Sequence, residues 1–169
     1  IRDRPGVDLE GFVSLETLSA LARRSPTEFV GAYPVPALVI EGSAGRRAEE
    51  VALERERSFA RTAHGESDVV GPSEPEEVAR YVGRAVFLTK RAGNLFADLV
   101  TLGRVFNADI ALVVGSVSKV HGYFRDEGGA WSFSDQRAKN GTFVNSKRLT
   151  PAERVVLRDG DRLQFGASV

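Results

Sequence analysis

The sequence contains no cysteine and no methionine, only two histidines and no long apolar run. The lack of cysteine excludes a disulfide framework, a thiolate zinc site, an iron–sulfur cluster and a cysteine nucleophile. Two imidazoles, His64 and His121, argue against a histidine-rich metal centre. No segment approaches the roughly 20 apolar residues that span a bilayer. We therefore expect a soluble, cytoplasmic protein without a membrane partner, a bound metal or a cofactor.

The sequence also lacks net charge, because 23 basic residues balance 23 acidic ones among its 169 residues. This balance conceals two unlike halves. Residues 1–82 hold 10 arginines and 15 acidic residues, whereas residues 83–169 hold 13 basic and 8 acidic residues. Such asymmetry is typical of an anion-binding module joined to an acidic segment. Since the basic half has no clustered basic run with interleaved aromatic residues, we expect no nucleic-acid partner.

The first 82 residues predict helices and loops. Ser14 precedes apolar residues at helical spacing, and Ser25-Pro26-Thr27-Glu28 has the pattern of a capping box, which predicts a second short helix ending at Gly31. Residues 37–40 predict a short buried strand or an extended apolar arm.

Farther along, residues 46–64 are rich in arginine and glutamate without glycine or proline, which predicts a charged helix. Residues 65–77 have the composition of a linker, and a short helix follows over 76–81. We therefore divide the chain into a helical N-terminal extension (1–64), a linker with a short helix (65–82) and a β-sandwich (83–169).

The assignment of a β-sandwich rests on short apolar runs separated by turn residues rich in glycine, asparagine and aspartate. Such a series predicts a mainly β protein, an all-β sandwich or barrel. The strand candidates are residues 85–88, 97–102, 110–114, 120–124, 130–133, 142–144, 154–157 and 162–165.

An ordered set of short motifs runs through the same half of the chain. In order they are Gly103-Arg104, Ser118-x-x-His121, Asn140-Gly141-Thr142-x-Val144-Asn145, Asp159-Gly160-Asp161 and Phe165-Gly166. Over residues 84–169 the chain resembles a forkhead-associated (FHA) domain. The resemblance implies an antiparallel β-sandwich whose loops at one end bind a phosphothreonine, here preceded by a mostly α-helical extension. The excess of arginine over lysine, 19 to 4, is typical of a GC-rich bacterial genome.

The resemblance also implies roles for individual residues. Arg104 and Ser118 match residues that bind the phosphate, and Asn140 matches the residue that holds the peptide backbone. The full set implied for phosphopeptide binding is Arg104, Ser118, Lys119, Lys139 and Asn140, and the implied structural supports are Gly103, His121, Gly141 and Thr142. One position departs from the family, since Ala138 stands where a serine is usual.

The expected function is that of a non-catalytic phosphothreonine-peptide-binding module in protein–protein signalling. Its expected partner is a phosphothreonine-containing protein, either a Ser/Thr kinase or a kinase substrate. The alternative is a phosphorylation-independent structural adaptor, which Ala138 favours. Residues 1–64 are expected to pack on the sandwich or regulate it. In one version of this hypothesis a phosphorylated Thr17, Thr27 or Thr62 occupies the site in cis.

Catalytic and metal-binding interpretations are weaker. Ser118 with His121 could form half of a hydrolase triad, but no complete nucleophile–base pair stands out, and we expect no enzyme. Aspartates recur in the second half and could form a carboxylate metal cluster, although fixing turns is the better interpretation. They are Asp109, Asp135, Asp159 and Asp161. Three aromatic residues, Trp131, Phe133 and Phe143, fit a packed core better than a platform for bases.

Overall fold

The computed structural model describes residues 4, 6–41, 74–94, 96 and 98–166. The helix predicted over 46–64 and most of the predicted linker lie outside the described residues. Within them the chain is mainly β, as predicted. The strands are β1 (Phe12–Ser14), β2 (Ala37–Ile40), β3 (Arg84–Phe87), β4 (Val100–Gly103), β5 (Ile110–Ala111), β6 (Gly122–Asp126), β7 (Trp131–Asp135), β8 (Thr142–Val144), β9 (Lys147–Arg148), β10 (Arg154–Val156) and β11 (Leu163–Phe165). The helices are α1 (Leu15–Arg24), α2 (Pro26–Ala32) and α3 (Glu74–Ala79).

The first two helices begin where the sequence predicts. The Ser14 hydroxyl accepts a hydrogen bond from the Thr17 amide at 3.1 Å, which satisfies one of the free N–H groups at the start of α1. Ser25 is the N-cap of α2 by position, but its side chain makes no capping hydrogen bond, so the capping box with Glu28 does not form. The helix ends at Ala32, one residue later than predicted.

The N-terminal strands build a three-stranded sheet in the order β1-β3-β2, in which both β1 and β2 pair antiparallel with β3. Because side chains alternate across a strand, β3 has two buried faces. Val86 belongs to the main core, whereas Ala85 and Phe87 form a second cluster with α1 and α2. In that cluster the Tyr33 ring stacks on Phe87 at 4.4 Å between ring centroids. The two helices therefore cover the outer face of this sheet.

The remaining strands form a five-stranded sheet, β10-β7-β6-β4-β5, and a three-stranded sheet, β11-β8-β9. Most pairs are antiparallel, but β4 and β5 run parallel, which makes the larger sheet mixed. Their inward side chains fill the main core, and Phe124 and Phe133 lie there fully buried with ring centroids 4.8 Å apart. This packing confirms the assignment of Phe133 to the core, and the half-buried Trp131 packs against it, but Phe143 belongs to neither core cluster because its side chain faces outward beside Arg148.

Several predicted strands differ in length from the observed ones. The largest difference is at 110–114, where only Ile110 and Ala111 pair and Leu112 begins a loop although it is fully buried. The strand predicted over 97–102 is observed as β4 and ends at Gly103. The predicted helix over 76–81 is observed as α3, shifted toward the N-terminus.

Pairing with β3 ties residues 12–14 and 37–40 directly to the β half of the chain. The division of the chain at residue 83 stays a prediction, and so does any regulatory contact made by residues 1–64. Among the described helices, none is both long and apolar enough to cross a bilayer.

Candidate functional site

The residues predicted to bind the phosphopeptide lie on three loops that leave the sheets at one end. In the five-stranded sheet Leu102 of β4 is opposite Gly122 of β6, and Gly122 is opposite Asp135 of β7. This register places the end of β4, the start of β6 and the end of β7 side by side. The loops attached there are residues 104–109, 112–121 and 136–141, and we call them the arginine loop, the serine loop and the asparagine loop.

The arginine loop and the serine loop are joined by their backbones. The Arg104 amide donates to the Ser118 carbonyl at 3.0 Å, immediately after β4 ends. Gly103 makes this approach possible, because a Cβ atom there would lie 2.2 Å from the Lys119 carbonyl oxygen. The Arg104 side chain is exposed. The backbone of Arg104 therefore lies beside Ser118, and its side chain is open to solvent.

The Ser118 hydroxyl joins the serine loop to the asparagine loop. Its oxygen accepts a hydrogen bond from the Lys139 amide at 3.0 Å. Because a hydroxyl has one proton to donate and two lone pairs, this bond leaves the Ser118 proton for an external acceptor. Ser118 is half-buried, whereas Lys119 and Lys139 are exposed.

His121 is the last residue of the serine loop and is fully buried. Its Nδ1 atom accepts a hydrogen bond from the Ser118 amide at 3.1 Å, which requires the neutral imidazole with its proton on Nε2. Burial lowers the pKa of His121, against the opposing effects of the Asp135 charge and the Gly141 backbone. The Nε2 atom is 3.9 Å from Asp135 Oδ2. A buried neutral histidine in this position suits a support of the loop and not a proton donor to a ligand.

Asp135 organises the asparagine loop from inside. One carboxylate oxygen accepts from the Ala138 amide at 2.9 Å, and the other accepts from the Thr142 hydroxyl at 2.7 Å. Both Asp135 and Thr142 are buried. Ala138 thus contributes its backbone to the loop, and its carbonyl also accepts from Gly141. A serine hydroxyl at position 138 is not needed for these bonds.

Asn140 is exposed and its side-chain amide donates to the Ser116 carbonyl at 2.9 Å, which joins the asparagine loop to the serine loop a second time. The carbonyl oxygen of its side chain and one N–H remain for other partners. The next residue, Gly141, has φ 75°, a conformation that favours glycine, and an added Cβ would lie 2.8 Å from Arg148 Nε. The turn after Asn140 therefore requires glycine.

The structure brings two further residues to the site that the sequence does not single out. Ser116 supplies the carbonyl that holds Asn140, and its own hydroxyl is buried without a partner among the described residues. Arg137 is an exposed residue of the asparagine loop with φ 57°, in the left-handed region. A backbone acceptor has no side-chain signature, so Ser116 could not be recognised from residue types. Arg137 is a cation two residues before Lys139, on the same predicted turn, and this position was a signal that the sequence offered.

The three loops carry positive charge without exposed negative charge. The cations are Arg104, Lys119, Arg137 and Lys139, and in the described part of the chain none of them forms an ion pair. The acidic residues nearest in sequence, Asp109 and Asp135, are buried and hydrogen-bonded. The exposed charges that the loops themselves carry are therefore all positive and favour an anionic ligand.

Three of the four aspartates considered as metal ligands, Asp109, Asp135 and Asp161, have other partners. Asp109 accepts from the amides of Arg91 and Thr101 at 2.6 and 2.7 Å, and Asp161 accepts from the Arg158 amide at 2.8 Å. With Asp135 they fix loops, as predicted. No group of three or more His, Asp or Glu among the described residues is arranged to hold a metal ion.

A surface pocket of about 520 Å³ lies beside Asp109. It is lined by residues of the 89–94 segment together with Gly11, Phe106 and Asn107. Arg91 crosses it, donating to the carbonyls of Glu10 and Phe106. None of the predicted site residues lines this pocket, although Phe106, Asn107 and Asp109 of the arginine loop do.

The model of the FHA domain family matches residues 100–166. The oxoglutarate dehydrogenase inhibitor of Corynebacterium diphtheriae is 31% identical over 137 residues, which cover 78% of this chain and 87% of that protein. The glycogen accumulation regulator GarA of Mycolicibacterium smegmatis is 36% identical over 90 residues, which cover 50% of this chain and 55% of GarA.

Solved structures also match this chain. One is the FhaA FHA domain complexed with the intracellular domain of Rv3910, with 28% identity and a TM-score of 0.42, covering 51% of this chain and 84% of that chain. Among the curated relatives, the chain spans about half the length of GarA and as little as 10% of the length of others.

Proposed function

The chain belongs to the forkhead-associated family, and from that premise we propose that it binds phosphothreonine in a partner protein through the three cationic loops. FHA domains bind phosphothreonine peptides, and in this chain the proposed ligands are Arg104, Ser118, Lys119, Lys139 and Asn140. Gly103, His121, Gly141 and Thr142 support these residues. The proposed role is recruitment of a partner and not catalysis.

The observation that carries this proposal is the convergence of Arg104, Ser118 and Lys139 through two backbone contacts. Arg104 N and Lys139 N both donate to Ser118, to its carbonyl and its hydroxyl oxygen, each at 3.0 Å. The Arg104 and Lys139 side chains are exposed and Ser118 is half-buried, which favours joint binding of one ligand by the two cations and the hydroxyl. A phosphothreonine presents three strong acceptor oxygens and close to two negative charges, which a guanidinium, an ammonium and a hydroxyl satisfy together.

The fixed backbone is important for affinity. A ligand that binds loops already held by hydrogen bonds does not have to order them, so less of the interaction energy is lost. Each charge-assisted hydrogen bond contributes about 1.5–3 kcal/mol net. Three such bonds support a transient, phosphorylation-dependent complex, and residues flanking the phosphothreonine add selectivity.

The relatives favour a regulatory role. Two that cover a large share of this chain are described as a regulator of glycogen accumulation and an inhibitor of oxoglutarate dehydrogenase, both from actinobacteria. We extend this to the present chain as a regulatory module whose partner is a phosphorylated protein, a kinase or a kinase substrate. Residues 1–64 would pack on or regulate the sandwich, and β1 and β2 already pair with β3.

The proposal is tested by isothermal titration with a phosphothreonine peptide library and the same library without phosphate. We expect binding of the phosphorylated library only. Arg104→Ala should weaken it at least about tenfold, because one charge-assisted contact of ~1.5–3 kcal/mol is lost.

Arg158→Ala is the matched control. Arg158 is an exposed arginine in the turn before β11, and that turn contacts Asn145 at the far end of β8 from the asparagine loop. The Arg158→Ala variant should bind the phosphorylated library with the same affinity as the parent. Equal binding of both libraries, or parental affinity in Arg104→Ala, would instead favour the phosphorylation-independent adaptor.

A further inference from the structure

The serine loop donates hydrogen bonds to two residues that precede the part of the chain matched by the FHA model. The Tyr81 hydroxyl accepts a hydrogen bond from the Val113 amide at 3.0 Å. The Glu77 carboxylate accepts one from the Gly115 amide at 2.7 Å. Both acceptors lie upstream of residue 100, where the match begins.

The spacing of these contacts resembles strand pairing. In extended backbone, amides two residues apart point to the same side, as those of Val113 and Gly115 do here. Glu77 lies in α3, and Tyr81 lies in the turn just after the helix ends, where its amide donates to the Val78 carbonyl at 2.9 Å. Two side-chain acceptors therefore take the place of a neighbouring strand along the start of the serine loop.

The two acceptors differ in rigidity. Tyr81 is fully buried and packs on Phe12 with ring centroids 5.1 Å apart, so it is a fixed part of the core. Glu77 is only half-buried. Glu77 can therefore be replaced without opening a cavity, which makes it the residue on which the contact can be tested.

The contacts continue from Gly115 toward the site. The next residue, Ser116, accepts the Asn140 side chain, and Val117 donates to Val114 at 3.0 Å. The Ser118 amide is held in turn by His121. Hydrogen bonds from the amides of Val113, Gly115, Val117 and Ser118 therefore hold the loop continuously from α3 to the site.

We propose that α3 is a positioning element of the phosphopeptide site, in which Glu77, with Tyr81, sets the conformation of the serine loop and hence the placement of Ser118. This inference rests on the proposed function but assigns a role to residues outside the FHA match. Glu77 does not touch the ligand. It acts through the Gly115 amide.

The experiment compares Glu77→Ala, Glu77→Gln and the parent, with Glu28→Ala as the matched control. Glu28→Ala removes the same charge from an exposed position of α2, which covers the other face of the β1-β3-β2 sheet. We expect Glu77→Ala to weaken phosphothreonine-peptide binding about three- to tenfold, since a charge-assisted bond that orients the loop is lost. Glu77→Gln retains an acceptor oxygen and should recover most of the affinity. The Glu28 variant should bind like the parent.

Amide hydrogen exchange followed by NMR separates this inference from the proposed function. In Glu77→Ala, exchange should accelerate at Gly115 and also at Ser118, while the amides of β6 and β7 keep their protection. This readout needs no ligand, so it remains valid if the parent fails to distinguish phosphorylated from unphosphorylated peptides. Unchanged exchange at Ser118, or equal affinity of Glu77→Ala and the parent in a phosphate-selective protein, would overturn the positioning role.

Discussion

Replacement of Gly103 by alanine tests whether the phosphopeptide site depends on the close approach of two backbones. Gly103 ends β4, and Arg104 follows it directly. An alanine Cβ would lie 2.2 Å from the Lys119 carbonyl oxygen and 2.9 Å from the Lys119 carbonyl carbon. Both are backbone atoms, so no side-chain rotation relieves the overlap. The serine loop must move away from β4.

The size of the movement follows from the distances. Ordinary contacts of a Cβ begin near 3.4 Å, so the loop must retreat by about 1.2 Å. The 3.0 Å bond between Arg104 N and Ser118 O then exceeds hydrogen-bonding distance. Overpacking of this kind costs about 1–3 kcal/mol of folding stability. Arg104 and Ser118 no longer meet on one phosphate, which removes one charge-assisted contact of ~1.5–3 kcal/mol and weakens peptide affinity roughly ten- to a hundredfold.

The assay is titration with a phosphothreonine peptide, combined with thermal unfolding. Gly31→Ala is the matched control, since Gly31 lies within α2 and an added Cβ meets no atom within 4 Å. This control should bind like the parent and be slightly more stable, because alanine favours a helix over glycine. If Gly103→Ala binds phosphopeptide as tightly as Gly31→Ala, the contact between β4 and the serine loop does not determine the site.

Two further predictions concern the groups beneath the loops. Asp135→Ala leaves the buried amide of Ala138 and the hydroxyl of Thr142 without an acceptor, so it should lower the free energy of denaturant unfolding by about 2–6 kcal/mol. The control Asp126→Ala loses one exposed bond to Gly129 and should lower it clearly less. Equal losses in the two variants would contradict the role of Asp135. Burial lowers the pKa of His121 below its ordinary value of 6.5, so the unfolded chain takes up a proton on His121 more readily than the folded chain does. The stability that His121 contributes is therefore fully present above pH 6.5 and is lost as the pH falls below that value. The midpoint temperature of thermal unfolding should therefore fall when the pH is lowered from about 7.5 to about 5.5. This interval lies above the range in which Asp8, Glu153 and Asp161 titrate. His64→Gln should keep this dependence, and a flat profile would be evidence against a buried neutral His121.

Much of the fold was predictable because its signals are local. A serine before a run of leucines at helical spacing predicted α1, and that serine caps the helix as expected. Turn residues between apolar runs predicted most strands of the β half. The resemblance to the forkhead-associated family implied that loops would meet at one end of the sandwich, and the register of β4, β6 and β7 places the starts of three such loops side by side.

The rest depended on contacts between segments distant in the chain. Strand β1 has three residues directly before a helix, too few to show alternation, and it exists because it pairs with β3 some 70 residues later. The apolar run at 110–114 is buried along most of its length, and burial alone does not distinguish a strand from a loop packed on the core. The bond between Glu77 and Gly115 involves a surface glutamate and a backbone amide 38 residues apart, neither of which has a distinctive sequence pattern.

The shared use of β3 has a consequence for how the protein loses its structure. Four residues, Arg84–Phe87, supply Val86 to the main core and Ala85 and Phe87 to the cluster under α1 and α2. The same strand supplies hydrogen-bonding partners to β1 and β2. Unfolding of α1 and α2 together with β1 and β2 would expose one face of β3 and free both of its edges, and the main core would lose Phe12 and Ile40 at the same time. The described N-terminal segment and the sandwich should therefore unfold cooperatively, in one transition and not two.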